Sequence, residues 1–269
     1  MNLRNKALEV LEQTSRTFYI PISRLPSGLL EAVASGYLCM RAIDEIEDHP
    51  QLDNFTKAKL LHRISLNLQA GVETSTIEDF SLGLSSQSIL LPEVTRRVGE
   101  WALLAPPTIA PRIWEATAAM ADRMAYWAEN NWKIDTEADL NRYTFSVAGA
   151  VGLMLSDLWA WYDGTQTNRT YAIGFGRGLQ AVNILRNQNE DRKRGVNFFP
   201  EGWNTQQMQE YARCNLKQAD YYTKSLPVGP ALNFCKIPLA LAYGTLEVLA
   251  LGKGKLSRND VLELVKQVG

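Results

Sequence analysis

Histidine and cysteine are scarce in this chain. His49 and His62 are its only histidines among 269 residues, which argues against a His-built metal centre or a Ser-His-Asp triad, although one histidine could serve as a base. The three cysteines, Cys39, Cys214 and Cys235, are scattered and odd in number. They suggest neither a disulfide framework nor a zinc site, and a reducing cytoplasm is the expected setting. An excess of either charge is also lacking. With 28 basic and 29 acidic residues the net charge is -1, against the basic footprint that nucleic-acid binding would leave. No apolar run reaches about 18 residues, so no transmembrane helix is expected. Met1–Glu12 is polar and charged, so no signal peptide is expected, and nothing after Leu251 reads as a membrane anchor. Strand-period alternation, internal repeats and low-complexity linkers are missing as well.

What remains is helical. Hydrophobic residues make up 46% and charged residues 21%, an ordinary globular composition with enough chain to bury a large core. The apolar periodicity predicts helices near 2–14, 26–48, 54–70, 87–104, 108–131, 136–162, 167–192, 204–224, 230–251 and 257–267. His49-Pro50, Pro106-Pro107, Asp163-Gly164 and Phe199-Pro200-Glu201-Gly202 punctuate them. A single all-α domain over 1–269 is the economical reading.

Two of these helices carry polar faces where apolar ones would be ordinary. In Arg41-Ala42-Ile43-Asp44-Glu45-Ile46-Glu47-Asp48, Asp44 and Asp48 lie one turn apart on one face, with Glu47 beside them. Like charges so placed weaken a helix by about a few tenths of a kcal/mol, and the neighbours Ala42, Ile43 and Ile46 are apolar. Carboxylates in this setting suit a hard cation such as Mg²⁺, completed by water and phosphate oxygens. The plain alternative is an acidic helix end satisfied by solvent and Arg41. The second face holds Asn183, Asn187 and Asp191 at i, i+4 and i+8, with Gln180 a turn earlier. Asparagine is a poor helix former, so amides aligned inside an apolar helix point to a function, with a merely polar surface as the alternative. Arg192-Lys193-Arg194 follows. Oxygen-rich faces beside cations suit a metal–diphosphate substrate. Gly149 and Gly152, with Ala148 and Ala150, strip bulk from another helix, for a neighbouring helix or for a long apolar chain.

These segments resemble the squalene/phytoene synthase family. The two polar faces are similar to its two aspartate-rich motifs, and Tyr37-Leu38-Cys39-Met40-Arg41 resembles the lead into the first. Ser15-Arg16-Thr17-Phe18 resembles its N-terminal Ser-Arg-Ser-Phe. Tyr143 and Val147-Ala148-Gly149-Ala150-Val151-Gly152 resemble Tyr-x-x-x-Val-Ala-Gly-x-Val-Gly. Asn197-Phe198-Phe199-Pro200 and Phe234-Cys235-Lys236-Ile237-Pro238 resemble later segments, so the likeness runs from about residue 13 to 250, in order. It implies an isoprenoid-synthase helical bundle around a central cavity, Mg²⁺, and prenyl diphosphate substrates. On that likeness Asp44, Asp48, Asn183, Asn187 and Asp191 are the metal ligands. Tyr37, Arg41 and Tyr143 sit at the chemistry, and Ser15, Arg16, Phe18, Arg41, Val147, Gly149, Gln180 and Arg186 contact substrate.

One position departs from the family pattern: Asn187 stands where the second motif begins with Asp, so one formal charge is missing. The implied activity is head-to-head joining of two prenyl diphosphates, farnesyl diphosphate being the expected substrate, through a presqualene-type intermediate to squalene or dehydrosqualene, with NADPH needed if the product is squalene. The alternative is a one-diphosphate enzyme, either a cyclase or a prenyltransferase to a non-prenyl acceptor. Greasy substrates imply transient contact with a membrane surface, the protein being cytoplasmic and peripheral to the bilayer. No nucleic-acid partner is expected. Oligomeric state and chain-length preference are not legible.

Overall fold

The computed structural model describes residues 2–72 and 91–268, without the Arg16 side chain. The described residues are helical, with no strand among them. They divide into two compact units, Met1–Asn131 and Trp132–Gly269.

The first unit holds α1 (Leu3–Thr14), α2 (Arg16–Ser23), α3 (Leu29–Glu47), α4 (Asn54–Gln69), α5 (Glu93–Arg96), α6 (Val98–Leu103) and α7 (Ala110–Glu129). Helix α3 is its hub, packing on each of these other helices. Its start is fixed by Gly28, whose φ of 86° interrupts the helix predicted from residue 26. The Gly28 N–H donates to Glu31 Oε2 at 2.5 Å, which satisfies an otherwise orphan donor. Side chains of α3 and its neighbours close the packing through backbone carbonyls. Ser35 Oγ donates to Trp101 O at 2.7 Å, and Thr95 Oγ1 donates to Ala42 O at 3.0 Å. Helix α4 lies along α7, and Asp122 of α7 accepts from Ser65 Oγ at 2.8 Å.

The second unit holds α8 (Glu137–Thr144), a π-helical segment (Phe145–Gly149), α9 (Ala150–Asp163), α10 (Arg169–Lys193), α11 (Thr205–Ser225), α12 (Pro230–Ala250) and α13 (Arg258–Val268). Here α10 is the hub, touching α8, the π segment, α9, α11 and α12. Helix α8 enters through a capping box, with Thr136 N–H on Asp139 Oδ2 (2.9 Å) and Asp139 N–H on Thr136 Oγ1 (3.2 Å). By length and composition α12 could cross a membrane, but 56% of its apolar window is buried inside the protein, against α10, α11 and α13. That burial is what a core helix requires.

Three elements differ from the sequence expectation. Helix α2 was not predicted, because Pro21 inside it removes a donor and reads as a breaker. The helix expected over 87–104 is two short helices split at Arg97, whose φ and ψ are -105° and 19°; residues 87–90 lie outside the described residues. The helix expected over 136–162 contains the π turn, which shifts its two halves by one residue relative to a continuous α-helix.

Candidate active site

Each polar face lies on the hub helix of its own unit, so burial by the surrounding helices holds it in place. In the first unit, Arg41 bridges two carboxylates: its Nη1 meets Asp44 Oδ2 at 2.5 Å, and its Nη2 pairs with Glu45. Desolvation works against the Arg41 charge, but Asp44 and Glu45 outweigh it and hold its pKa above the ordinary value. The Arg41 Nε is buried and has no hydrogen-bond partner among the described residues. A buried donor of this kind requires an acceptor. Asp48 is exposed at the end of α3, its N–H on the Asp44 carbonyl at 2.9 Å. Glu47 is only 4% exposed, and the buried Lys57 donates to its carbonyl at 2.6 Å.

Around this face the first unit gathers other expected residues. Ser15 caps α2 by accepting from Phe18 N–H at 3.2 Å. The Phe18 ring lies 5.5 Å from that of Tyr37, tilted by 42°. Burial raises the Tyr37 pKa, while the Ser15 hydroxyl and Arg41 draw it down. Its net displacement is upward, further from neutral pH. Ser15, Phe18, Tyr37, Arg41 and Asp44 thus form one linked set. The Arg16 side chain, also expected to contact substrate, lies outside the described residues.

In the second unit the row on α10 is intact as a helix face. Asn183 Oδ1 accepts from Arg186 Nη2 and from Asn187 Nδ2, the latter at 3.3 Å. Asn187 Oδ1 accepts from Arg186 Nε at 3.1 Å. Desolvation pulls the Arg186 pKa down, and Glu190 opposes it. Asp191 is 7% exposed, and its Oδ1 accepts from Arg194 Nη2 at 2.6 Å. Its backbone carbonyl closes the helix, accepting from Arg194 and Val196 at 3.0 Å each. Gln180 is half-buried one turn before Asn183.

Tyr143 is 4% exposed and stacks on Phe198, with centroids 4.5 Å apart and an interplanar angle of 20°. Val147 and Gly149 belong to the π segment. For the small residues here, close helix approach is the observed use. A Cβ on Gly152 would overlap the Ala172 carbonyl, and one on Gly176 would overlap that of Ala148. Gly149 itself faces Ile173 and Phe145, its ideal Cβ 3.2 Å from each.

Sequence reasoning missed Arg177. Its Nη2 donates to the Asn141 carbonyl at 3.1 Å, its guanidinium lies 5.9 Å from the Phe145 ring centre, and its Nε is buried without a partner among the described residues. Asn141 Oδ1 also accepts from Tyr211 at 2.9 Å. An arginine inside the glycine-rich stretch 174–178 was the available signal.

The fold has known counterparts. The solved complex of TcSQS with the ligand E5700 superposes with a TM-score of 0.82 at 20% identity, over 99% of this chain and 86% of that one. A dehydrosqualene synthase in complex with a ligand gives a TM-score of 0.65 at 19% identity, over 99% and 95%. The architecture is therefore the all-α isoprenoid-synthase fold. A family model for squalene/phytoene synthase matches residues 11–212, a stretch that runs through both units and most of the chain, and the chain belongs to that family. Among its relatives, squalene synthase of Schizosaccharomyces pombe is 29% identical over 91% of this chain and 59% of its own length. That of Dictyostelium discoideum is 28% identical over 91% and 64%, and that of Homo sapiens 26% over 88% and 61%. The chain thus spans about three-fifths of these relatives' length.

Proposed function

We propose that this chain is a Mg²⁺-dependent prenyltransferase that joins two molecules of a prenyl diphosphate, farnesyl diphosphate foremost, head to head. One diphosphate and one proton leave as the first two carbon–carbon bonds close the cyclopropane of a presqualene-type C30 diphosphate. The second leaves as that intermediate rearranges, ending in proton loss to dehydrosqualene or in hydride addition to squalene. Family membership supports the reaction class. The single observation that carries it is Arg41: a buried Nε donor without an acceptor among the described residues, beside the carboxylate of Asp44.

That orphan donor and the two carboxylates fit a metal–diphosphate group. Mg²⁺ commonly uses one or two carboxylates and takes its other ligands from water and phosphate, which Asp44 and Asp48 can satisfy without a third acidic residue. Bound there, the ion would offset the negative charge that builds on the departing diphosphate. Arg41 donates to a diphosphate oxygen through Nε while Asp44 and Glu45 hold its other edge in place. Tyr37, a neutral phenol, offers a hydroxyl donor. The Phe18 and Tyr37 rings, and in the second unit those of Tyr143 and Phe198, offer π faces that stabilise carbocations. NADPH enters if the product is squalene, and no residue of this chain is assigned to it.

Asn187 favours one other reading, a one-diphosphate cyclase or prenyltransferase. Incubation with farnesyl diphosphate and Mg²⁺, with and without NADPH, separates the two. C30 products are expected; cyclised or hydrolysed C15 products alone overturn the head-to-head assignment. The proposal extends to a cytoplasmic protein in transient contact with a bilayer surface, because both substrate and product carry long hydrocarbon chains. Flotation with phosphatidylcholine vesicles tests that contact, and a chain that stays at the bottom of the gradient in the presence of substrate contradicts it.

A further inference from the structure

Each residue expected to bind metal on α10 already accepts from an arginine through one of its oxygens. Arg186 donates to Oδ1 of both Asn183 and Asn187, and Arg194 donates to Oδ1 of Asp191. A Mg²⁺ ion binds oxygen at about 2.0–2.1 Å. An ion on the two amide oxygens would stand against the guanidinium that uses them, two like charges in near contact. Neither amide carries a negative charge to offset that repulsion. The residues as placed therefore do not fit a metal on Asn183 and Asn187.

The two motif arginines differ in the same sense. Arg41 is paired with two carboxylates, Asp44 and Glu45. Among the described residues the hydrogen-bond partners of Arg186 are both neutral amides, and Glu190, which opposes the desolvation of its charge, pairs with Lys255 at 3.2 Å, so the amides orient the guanidinium without neutralising it. Neither amide takes up Nη1, and a guanidinium edge matches the spacing of phosphate oxygens.

We infer that the second face of this chain is a guanidinium site rather than a metal site: Arg186, held by Asn183 and Asn187, carries the positive charge for diphosphate oxygens there, and Mg²⁺ is confined to the face of Asp44 and Asp48. The inference rests on the proposed diphosphate chemistry and fixes how its charge is balanced. Asn187 is then a positioning residue for Arg186, and the Asp-to-Asn departure from the family motif is what frees the arginine's charge.

The test counts ions. Mn²⁺ replaces Mg²⁺ and is counted by electron paramagnetic resonance in the presence of farnesyl thiodiphosphate, a slowly reacting analogue, with circular dichroism confirming that each variant is folded. Asn187→Ala is expected to leave the number of Mn²⁺ ions per bound analogue unchanged, whereas Asp44→Asn lowers it. Arg186→Gln is expected to weaken the analogue about tenfold to a hundredfold, the usual effect of losing a charge-assisted pair, at an unchanged Mn²⁺ count. A lower count in Asn187→Ala, or undiminished affinity in Arg186→Gln, overturns the guanidinium site and leaves the proposed reaction standing. Failure of the wild-type protein to bind the analogue overturns both.

Discussion

Arg41 and Arg186 hold the two polar faces in different ways, and the residue scale is where the chemistry separates. Asp44 accepts from Arg41 and brings a formal negative charge to the proposed cation, which neither amide on the second face does. Asp44→Asn is expected to lower kcat/KM on the order of a hundredfold, as losing one preorganised electrostatic partner does. Far-UV circular dichroism of the variant should stay unchanged; activity within threefold of wild type would remove Asp44 from the reaction. Much of this was legible in the sequence, since the spacing of Asp44 and Asp48 follows from helix geometry alone. The occupancy of the second face was not. Spacing places Asn183, Asn187 and Asp191 on one side of a helix, but which side chain claims their oxygens depends on rotamers that a sequence does not display. Arg186 lies three residues from Asn183, and its reach back along α10 emerges only in three dimensions.

Elements show the same division between what a pattern encodes and what it hides. Helices α3, α4, α10 and α11 fall within three residues of the expected bounds, because their apolar periodicity is long and uninterrupted. A π turn preserves local helical periodicity on either side of its extra residue, so Phe145–Gly149 was invisible. Its position follows from packing: α10 approaches this stretch closely enough that Gly152 and Gly176 meet backbone carbonyls. Gly176→Ala is therefore expected to destabilise the protein by about 1–3 kcal/mol, the usual cost of overpacking. Gly229→Ala, where a Cβ meets nothing within 4 Å, is expected to change stability by no more than about 0.5 kcal/mol. Denaturant unfolding of both variants checks this, and equal midpoints would contradict the close approach.

Across the molecule, burial sets how stability depends on alkaline pH. Desolvation raises the Tyr222 pKa from the ordinary 10.0 to about 12, although the Ser156 hydroxyl, 3.0 Å away, is among the groups that partly offset it. Tyr37 and Tyr211 shift upward for the same first cause. A phenol with a raised folded-state pKa holds its proton more tightly when folded. Its contribution is complete below pH 10 and is lost as the pH climbs to about 12. Melting temperature should therefore fall across that window, and less steeply in Tyr222→Phe; an identical slope in the variant would contradict the assignment. The proposed reaction couples the loss of two diphosphates from two prenyl chains. It is tested most directly by measuring, in one reaction with farnesyl diphosphate, Mg²⁺ and NADPH, the diphosphate released per molecule of C30 hydrocarbon formed. Two diphosphates are expected for each hydrocarbon; diphosphate release with no C30 product, or no release at all, overturns the head-to-head reaction.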